Sequence, residues 1–225
     1  MKSVEIQELQ KSFGKVKALD NINLNLMSGT HYAIRGASGS GKSTLLYLMG
    51  GMDRATSGVI RVNGRSLAEL TDEQLALYRN SFVGFVFQFH FLLPSMSCHD
   101  NILLPARLGK LSAQDFEKIR NETSVLANRL GVAHCLEKFP FELSGGEQQR
   151  INIIRAVSMK PKLLLCDEPT GNLDSVNSNK VVALLRELAH ACQATLVVVT
   201  HDEKVAMQLD HQLYIQDGCL VDYKK

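Results

Sequence analysis

Polar and apolar side chains alternate from the start of the chain. Val4-Glu5-Ile6-Gln7-Glu8-Leu9 has the period-two pattern of a strand with one buried face, and Ser12-Phe13-Gly14-Lys15 supplies a turn after it. Ile22, Leu24 and Leu26 then alternate with Asn21, Asn23 and Asn25, which predicts a second half-buried strand. After Ser28-Gly29, residues 31–35 read as a short strand. Thr44-Leu45-Leu46-Tyr47-Leu48-Met49 reads as the start of a helix that stops at Gly50-Gly51. Ser57-Gly58 and Asn63-Gly64 bracket Val59-Ile60-Arg61-Val62, a short strand expected in an antiparallel piece beside the main core. Thr71-Asp72-Glu73-Gln74 offers a capping box for a helix through about Asn80.

Val83-Gly84-Phe85-Val86-Phe87 predicts a buried strand ending at Gln88, and there the pattern changes. Phe89-His90-Phe91-Leu92-Leu93-Pro94 is apolar but punctuated. Helices are predicted at about 99–108, 113–130 and 146–159 with no strand between them, and Gly131 and Pro161 are helix stops. Beyond them strands and helices alternate: a strand over 162–166, an amphipathic helix over 175–190, a strand over 195–200 and a helix over 202–209. Strands at 213–215 and 219–221 follow, joined at Asp217-Gly218. The expected fold is α/β, one domain with a mostly parallel sheet, an antiparallel β subdomain and an inserted helical subdomain. Residues 1–88 and 161–225 form the core and 89–160 the helical insertion. In such a sheet ligands bind at the carboxyl ends of the strands.

Composition narrows the function classes. The 225 residues, 45% hydrophobic and 21% charged, suit one large domain or a core with an inserted subdomain. A net charge of +2 without a basic stripe argues against nucleic acid as a partner. Apolar runs such as Leu163-Leu164-Leu165 and Val197-Val198-Val199 fall far below the roughly 18–20 residues of a membrane span. Met1-Lys2-Ser3-Val4-Glu5 lacks an apolar signal region, so no signal peptide is expected. The five cysteines are scattered without a C-x-x-C pair, which predicts reduced core fillers of a cytosolic protein rather than a metal site.

The chemistry centres on Gly36-Ala37-Ser38-Gly39-Ser40-Gly41-Lys42-Ser43, followed by Thr44. It fits the P-loop pattern G-x-x-x-x-G-K-[ST] between a strand and a helix. Glycines let successive backbone N–H groups turn inward as an anion nest, and the helix N-terminus adds partial positive charge. Lys42 is then placed for the β- and γ-phosphates, and the Ser43 hydroxyl for Mg²⁺. The alternative is a glycine-rich turn without a ligand. Leu163-Leu164-Leu165-Cys166-Asp167-Glu168-Pro169 is an apolar strand that delivers two carboxylates. Asp167 suits the Mg²⁺ side and Glu168 the orientation or deprotonation of a water, unless both merely belong to a solvated loop. Leu143-Ser144-Gly145-Gly146-Glu147-Gln148-Gln149-Arg150 opens a helix with its own S-x-x-E capping box. Capping accounts for Ser144 and Glu147. It does not account for Gly145-Gly146, which weaken a first turn unless the backbone must approach something.

Ser-Gly-Gly followed by Glu-Gln-Gln-Arg resembles the signature of ATP-binding-cassette (ABC) ATPases, which share a RecA-like P-loop NTPase core. The other family motifs are matched in order over nearly the whole chain. Phe13 resembles the aromatic that stacks on adenine, and Gln88 the Q-loop glutamine that senses Mg²⁺ and couples to a membrane partner. Gly171-Asn172-Leu173-Asp174 resembles the D-loop, and His201 the switch histidine at the γ-phosphate. Alone, Phe13 reads as a packing residue, which the order and spacing of the motifs reverse, and His201 has a helix cap as its alternative. At the fifth signature position Glu147 stands where many relatives have Gln.

The resemblance implies ATP and Mg²⁺ as cofactors. ATP would be held by Phe13, Gly36 through Thr44, Ser144, Gly145, Gly146, Glu147 and Asp174. Mg²⁺ would be held by Ser43, Gln88 and Asp167, and hydrolysis carried by Glu168, His201 and Gln88. Family cassettes pair head to tail, so Ser144, Gly145 and Gly146 would serve the nucleotide of a second copy.

Phe87-Gln88-Phe89-His90-Phe91-Leu92-Leu93-Pro94 and the Gly-Asn-Leu-Asp stretch look like the lipoprotein-release (LolD-type) and macrolide-export (MacB-type) cassettes. These imply an integral membrane permease at the cytoplasmic face of the bacterial inner membrane. Phe89, Phe91, Leu92 and Leu93 offer it an apolar docking groove near 89–94, unless they pack inside the helical subdomain. A regulatory cassette that drives cell-wall remodelling without transport is the alternative.

Overall fold

The computed structural model describes residues 2–171 and 175–221, without the side chains at 175 and 176. Strands β1 (Lys2–Phe13) and β2 (Val16–Met27) form an antiparallel hairpin; β3 (His31–Arg35) leads into α1 (Lys42–Met49). β4 (Ser57–Val62) returns to pair with β1 and is followed by β5 (Arg65–Ser66), giving a four-stranded antiparallel sheet ordered β2-β1-β4-β5. Ile22, Leu24 and Leu26 are buried and Asn21, Asn23 and Asn25, which alternate with them, are exposed, as the alternation predicts. The hairpin strands are longer than the pattern suggests. Glu8 and Asn21 take positive φ (46° and 50°), and the register shifts between Ile6 and Leu9. A bulge therefore breaks the period of two while keeping both Ile6 and Leu9 inside.

Next come α2 (Asp72–Ser81), capped by the expected Thr71–Gln74 box, and β6 (Val83–Val86). Helices α3 (Cys98–Leu108), α4 (Ala113–Arg129) and α5 (Gly145–Val157) follow without a strand between them. Cys98, Ile102, Leu103, Ala127, Ile151 and Ile154 give these three helices their own buried cluster. The chain then alternates through β7 (Leu163–Asp167), α6 (Ser175–Cys192), β8 (Thr195–Val199), α7 (Glu203–Ala206), β9 (His211–Gln216) and β10 (Cys219–Val221). The helix expected over 202–209 shrinks to one turn, because Asp210 N–H bonds His31 O and pulls the chain into β9.

The second sheet is ordered β10-β9-β3-β8-β7-β6, parallel except for β10. Every residue of β7 and β8 is buried, since one face packs toward α1 and the antiparallel sheet and the other toward α6. Burial on both faces explains why these strands read as continuous apolar runs. Each fully buried Leu or Val contributes about 1.5–3 kcal/mol. The α/β class, the parallel sheet and the antiparallel piece match the sequence expectation. Three short 3₁₀ turns, at Leu67–Glu69, Ala133–Cys135 and Pro140–Glu142, carry no periodicity and were not predicted.

Candidate active site

Four adjacent parallel strands end side by side, and each hands the chain to one sequence-predicted element. β6 leads to Gln88, β7 to Asp167 and Glu168, β8 to His201 and β3 to the P-loop. Backbone bonds continue past the strands and tie them together: Glu168 N–H donates to Val199 O (3.0 Å) and Thr200 N–H to Ile34 O (3.1 Å).

Within the P-loop two glycines are dictated by space. A Cβ at Gly36 (φ 152°) would lie 2.2 Å from Ile215 O, and one at Gly41 (φ 104°) 2.5 Å from Ala18 O. Neither tolerates a side chain. Gly41 is the residue before α1, which has neither a side-chain cap nor an acidic residue in its first turn. The helix therefore presents uncompensated N–H groups beside Ala37, Ser38, Gly39 and Ser40, the arrangement that binds phosphate. These four residues also line a cleft of about 360 Å³ with Tyr214–Asp217. Lys42 is buried, and its Nζ donates to Gly36 O (3.0 Å) and Ala37 O (2.8 Å), so the ammonium lies within the loop. Ser40 Oγ is buried without a hydrogen-bond partner. Thr44 follows in the first turn of α1.

Ser43 Oγ donates to Asp167 Oδ1 at 2.9 Å, joining residues 124 positions apart. Tyr47 Oη donates to the other oxygen, Oδ2, also at 2.9 Å. Burial first, and then the Asp167 carboxylate, push the Tyr47 phenol up to about 12, so it remains a donor. Sequence reasoning missed Tyr47. The usable signal was its i+4 spacing from Ser43, which places both on one helix face. Glu168 has φ 45°, an uncommon value for a residue with a Cβ. Its Oε1 lies 3.0 Å from His201 Nδ1, while its Oε2 is buried without a partner. His201 does not cap α7; Asp202 does, accepting from the N–H groups of Lys204 and Val205. The Gln88 amide lies against Gly171, where a Cβ would come within 3.0 Å of its Nε2. Asn172, Leu173 and Asp174 lie outside the described residues.

Phe13 is 53% exposed at the hairpin end, pairs with Val16 and carries Lys11 Nζ 4.7 Å from its ring centroid. Ala18, two residues beyond Val16 in the same hairpin, packs its carbonyl on Gly41.

Ser144 caps α5. Its N–H donates to Glu147 Oε2 (2.8 Å), its Oγ donates to the same oxygen (2.6 Å), and Gly145 and Gly146 begin the helix. The Ser144 bonds, then His134 and Cys135, hold the Glu147 carboxyl down at about 2. A depressed carboxylate stabilises the fold above the ordinary range. That contribution is lost as pH falls toward about 2. Among the described residues, no hydrogen bond or ion pair joins Ser144–Glu147 to the P-loop, Asp167, Glu168 or His201. Further along α5, Gln149 Nε2 donates to Pro169 O, Asn152 Nδ2 to Phe87 O, and the Arg155 guanidinium to His90 O and Phe91 O. One helix thus holds both the loop after Glu168 and the segment around Gln88.

Residues 19–171 match the family model described as ABC transporter. The chain is 44% identical to the lipoprotein-releasing system ATP-binding protein LolD of Shewanella denitrificans, over 92% of this chain and 87% of that protein. It is 43% identical to the LolD protein of Geobacter metallireducens, over 97% of each. Among solved structures, the dimeric structure of MJ0796, a bacterial ABC transporter cassette, superposes with a TM-score of 0.86 at 34% identity, covering 99% of this chain and 98% of that one. The same cassette in a post-hydrolysis dimer bound to ADP and Pi gives 0.85 at 34% identity and the same coverage. With a family model covering about two thirds of the chain and LolD proteins aligned along almost its entire length, the chain belongs to the ABC transporter family as an ATP-binding, ATP-hydrolysing subunit.

Proposed function

We propose that two copies of this chain close head to tail on ATP and drive a membrane permease that releases lipoproteins from the bacterial inner membrane. The observation that carries this reading is the meeting of Lys42, Ser43, Asp167, Glu168 and His201 at the ends of three adjacent parallel strands. Lipoprotein release, rather than macrolide export or cell-wall regulation, follows the names of the relatives. Among the described residues no helix is long and apolar enough to cross a membrane, so attachment is assigned to the permease.

The donor set fits Mg²⁺. Ser43 Oγ and Asp167 Oδ1 are hard oxygen ligands already 2.9 Å apart, and Gln88 supplies an amide oxygen nearby in sheet order. When bound, Mg²⁺ would neutralise phosphate charge. The chain's own residues do the rest. The P-loop N–H groups and Lys42 hold the phosphates, Tyr47 and Ser43 fix the Asp167 carboxylate, and His201 orients Glu168. Glu168, with one buried oxygen lacking a partner, accepts the proton of the attacking water.

Lys42→Ala tests the reading. Losing a charge-assisted phosphate contact costs about 1.5–3 kcal/mol, a roughly ten- to hundredfold weaker affinity for ATP. Calorimetric titration beside a thermal melt separates binding from folding. Undiminished affinity in a folded variant rejects the P-loop assignment.

The permease is assigned to the surface around Phe89–Pro94. Phe89 and Phe91 are 68% and 60% exposed, while Leu92 turns inward onto the cluster of α3–α5. Phe91 also lines an apolar cleft of about 520 Å³ with Met52, Phe85, Phe87, Leu104 and Leu108. Such a groove suits the apolar face of a short helix. Phe89→Asp and Phe91→Asp are expected to keep the melting temperature and ATP affinity and to abolish co-purification with the permease. Leu92→Asp is expected to destabilise the fold instead. Normal co-purification of both Phe variants would move the docking surface elsewhere.

A further inference from the structure

Away from the chain's own P-loop, three side chains converge that the sequence does not group. His134 and Cys135 lie in the 3₁₀ turn before the signature, and Glu147 in the first turn of α5. His134 Nε2 is 3.0 Å from Glu147 Oε1, Cys135 Sγ is 3.4 Å from the same oxygen, and the sulfur is 3.4 Å from the ring nitrogen. Hydrogen bonds account for all three distances, because the thiol donates to the carboxylate and the imidazole nitrogen bonds both the carboxylate and the sulfur in roles set by its tautomer. A shared cation accounts for them as well. Around a tetrahedral zinc ion, with bonds of about 2.0–2.3 Å, nitrogen and oxygen stand about 3.4 Å apart and sulfur about 3.6 Å from either. The observed triangle is within a few tenths of an ångström of that.

We propose that His134 Nε2, Cys135 Sγ and Glu147 Oε1 form a binding site for a zinc-class divalent cation. The donor set selects the class. Thiolate and imidazole favour Zn²⁺ and its neighbours over Mg²⁺ or Ca²⁺, which take oxygen ligands. The supports are in place. Cys135 is fully buried in the helical cluster, and Glu147 Oε2 is fixed by Ser144 N–H and Oγ, so that Oε1 faces the other two donors. The imidazole side is open, with the His134 side chain 59% exposed, which gives an entry path and leaves the fourth position to water. On binding, the sulfur–metal bond forms as the thiol proton leaves to solvent. His134 coordinates through Nε2 as the neutral tautomer protonated at Nδ1, any Nε2 proton exchanging with solvent, and no group is oxidised or reduced. The ion would clamp the turn before the signature to the first turn of α5. The proposal does not rest on the ATPase reading, and its test needs no nucleotide.

The test is a Co²⁺ titration of the full-length chain, stripped of metal and kept reduced with a non-thiol reductant. Expected are one equivalent bound, a thiolate-to-cobalt charge-transfer band with the intense visible bands of tetrahedral cobalt, and their loss on adding Zn²⁺. His134→Gln changes an exposed residue and should weaken binding at least ~10-fold, since even losing a supporting contact outside the ligand shell costs that much. Cys135→Ser should abolish the charge-transfer band, whereas Cys192→Ser and Cys219→Ser should leave it unchanged. Circular dichroism checks that each variant is folded; if Cys135→Ser is not, His134→Gln decides. No charge-transfer band, or one that persists undiminished in His134→Gln, overturns the proposal and leaves a hydrogen-bond cluster only.

Discussion

Glu168→Gln is expected to slow ATP hydrolysis by roughly 10²–10⁴ while leaving ATP affinity nearly unchanged, the usual consequence of losing a general base. The amide replaces the carboxylate with almost no change of volume, so the polar surroundings of Oε1 and Oε2 are preserved in shape. His201 Nδ1, 3.0 Å from Oε1, keeps an acceptor there, and the backbone bond from Glu168 N–H to Val199 O is untouched. Only the capacity to take a proton is removed. If closure follows ATP binding and opening follows hydrolysis, the variant accumulates as an ATP-bound dimer. Size-exclusion chromatography with Mg·ATP then moves from monomer to dimer as steady-state phosphate release falls. Turnover at the wild-type rate would pass the base role to His201.

How far the sequence alone reached depended on whether a feature was local. The glycine spacing of the P-loop, the apolar run ending in Asp167-Glu168 and the asparagine alternation in β2 are short-range patterns, and each lies where its period or motif places it. What stayed hidden was long-range. Nothing local says that Tyr47 completes the Asp167 carboxylate, that Arg155 holds the carbonyls of His90 and Phe91, or that Gln149 reaches Pro169. His134, Cys135 and Glu147 are within 13 residues of one another, yet a 3₁₀ turn of three residues has no periodicity to announce that they meet. Leu92 and Phe91 were also indistinguishable by composition. His90 and Phe91 take positive φ (63° and 46°), held by the Arg155 guanidinium, and this turn sends neighbouring apolar side chains to opposite sides. The same contacts give α5 its place in the proposed mechanism. Gln149, Asn152 and Arg155 recur at i, i+3 and i+6, so one helix face grips the loop after Glu168 and the segment leading to the docking surface.

Ser144→Arg is expected to cut ATPase activity by at least ~10², the cost of removing one donor from a preorganised anion site, and to leave the variant's own ATP affinity intact. The structure gives two reasons to separate these effects. Ser144 is exposed at the start of α5, and its described bonds run to Glu147 and Gln148 rather than to any P-loop residue. Under the proposed head-to-tail pairing, the nucleotide it serves is held by the Lys42 of the second copy. Replacing the cap costs about 1 kcal/mol of helix stability, too little to unfold a domain of this size. Mixing with Lys42→Ala protein makes the test sharper. Each parent is inactive at both sites of its homodimer, but a mixed dimer has one site built from the intact P-loop of one chain and the intact Ser144 of the other. With random pairing of equal amounts, half the dimers are mixed and one of two sites in each works. Activity should then recover to roughly a quarter of wild type if the sites act independently. Recovery that rises and falls with the mixing ratio, peaking at equal amounts, supports the head-to-tail arrangement. No recovery, together with loss of ATP binding in the Ser144→Arg protein alone, would mean that Ser144 serves the nucleotide of its own chain.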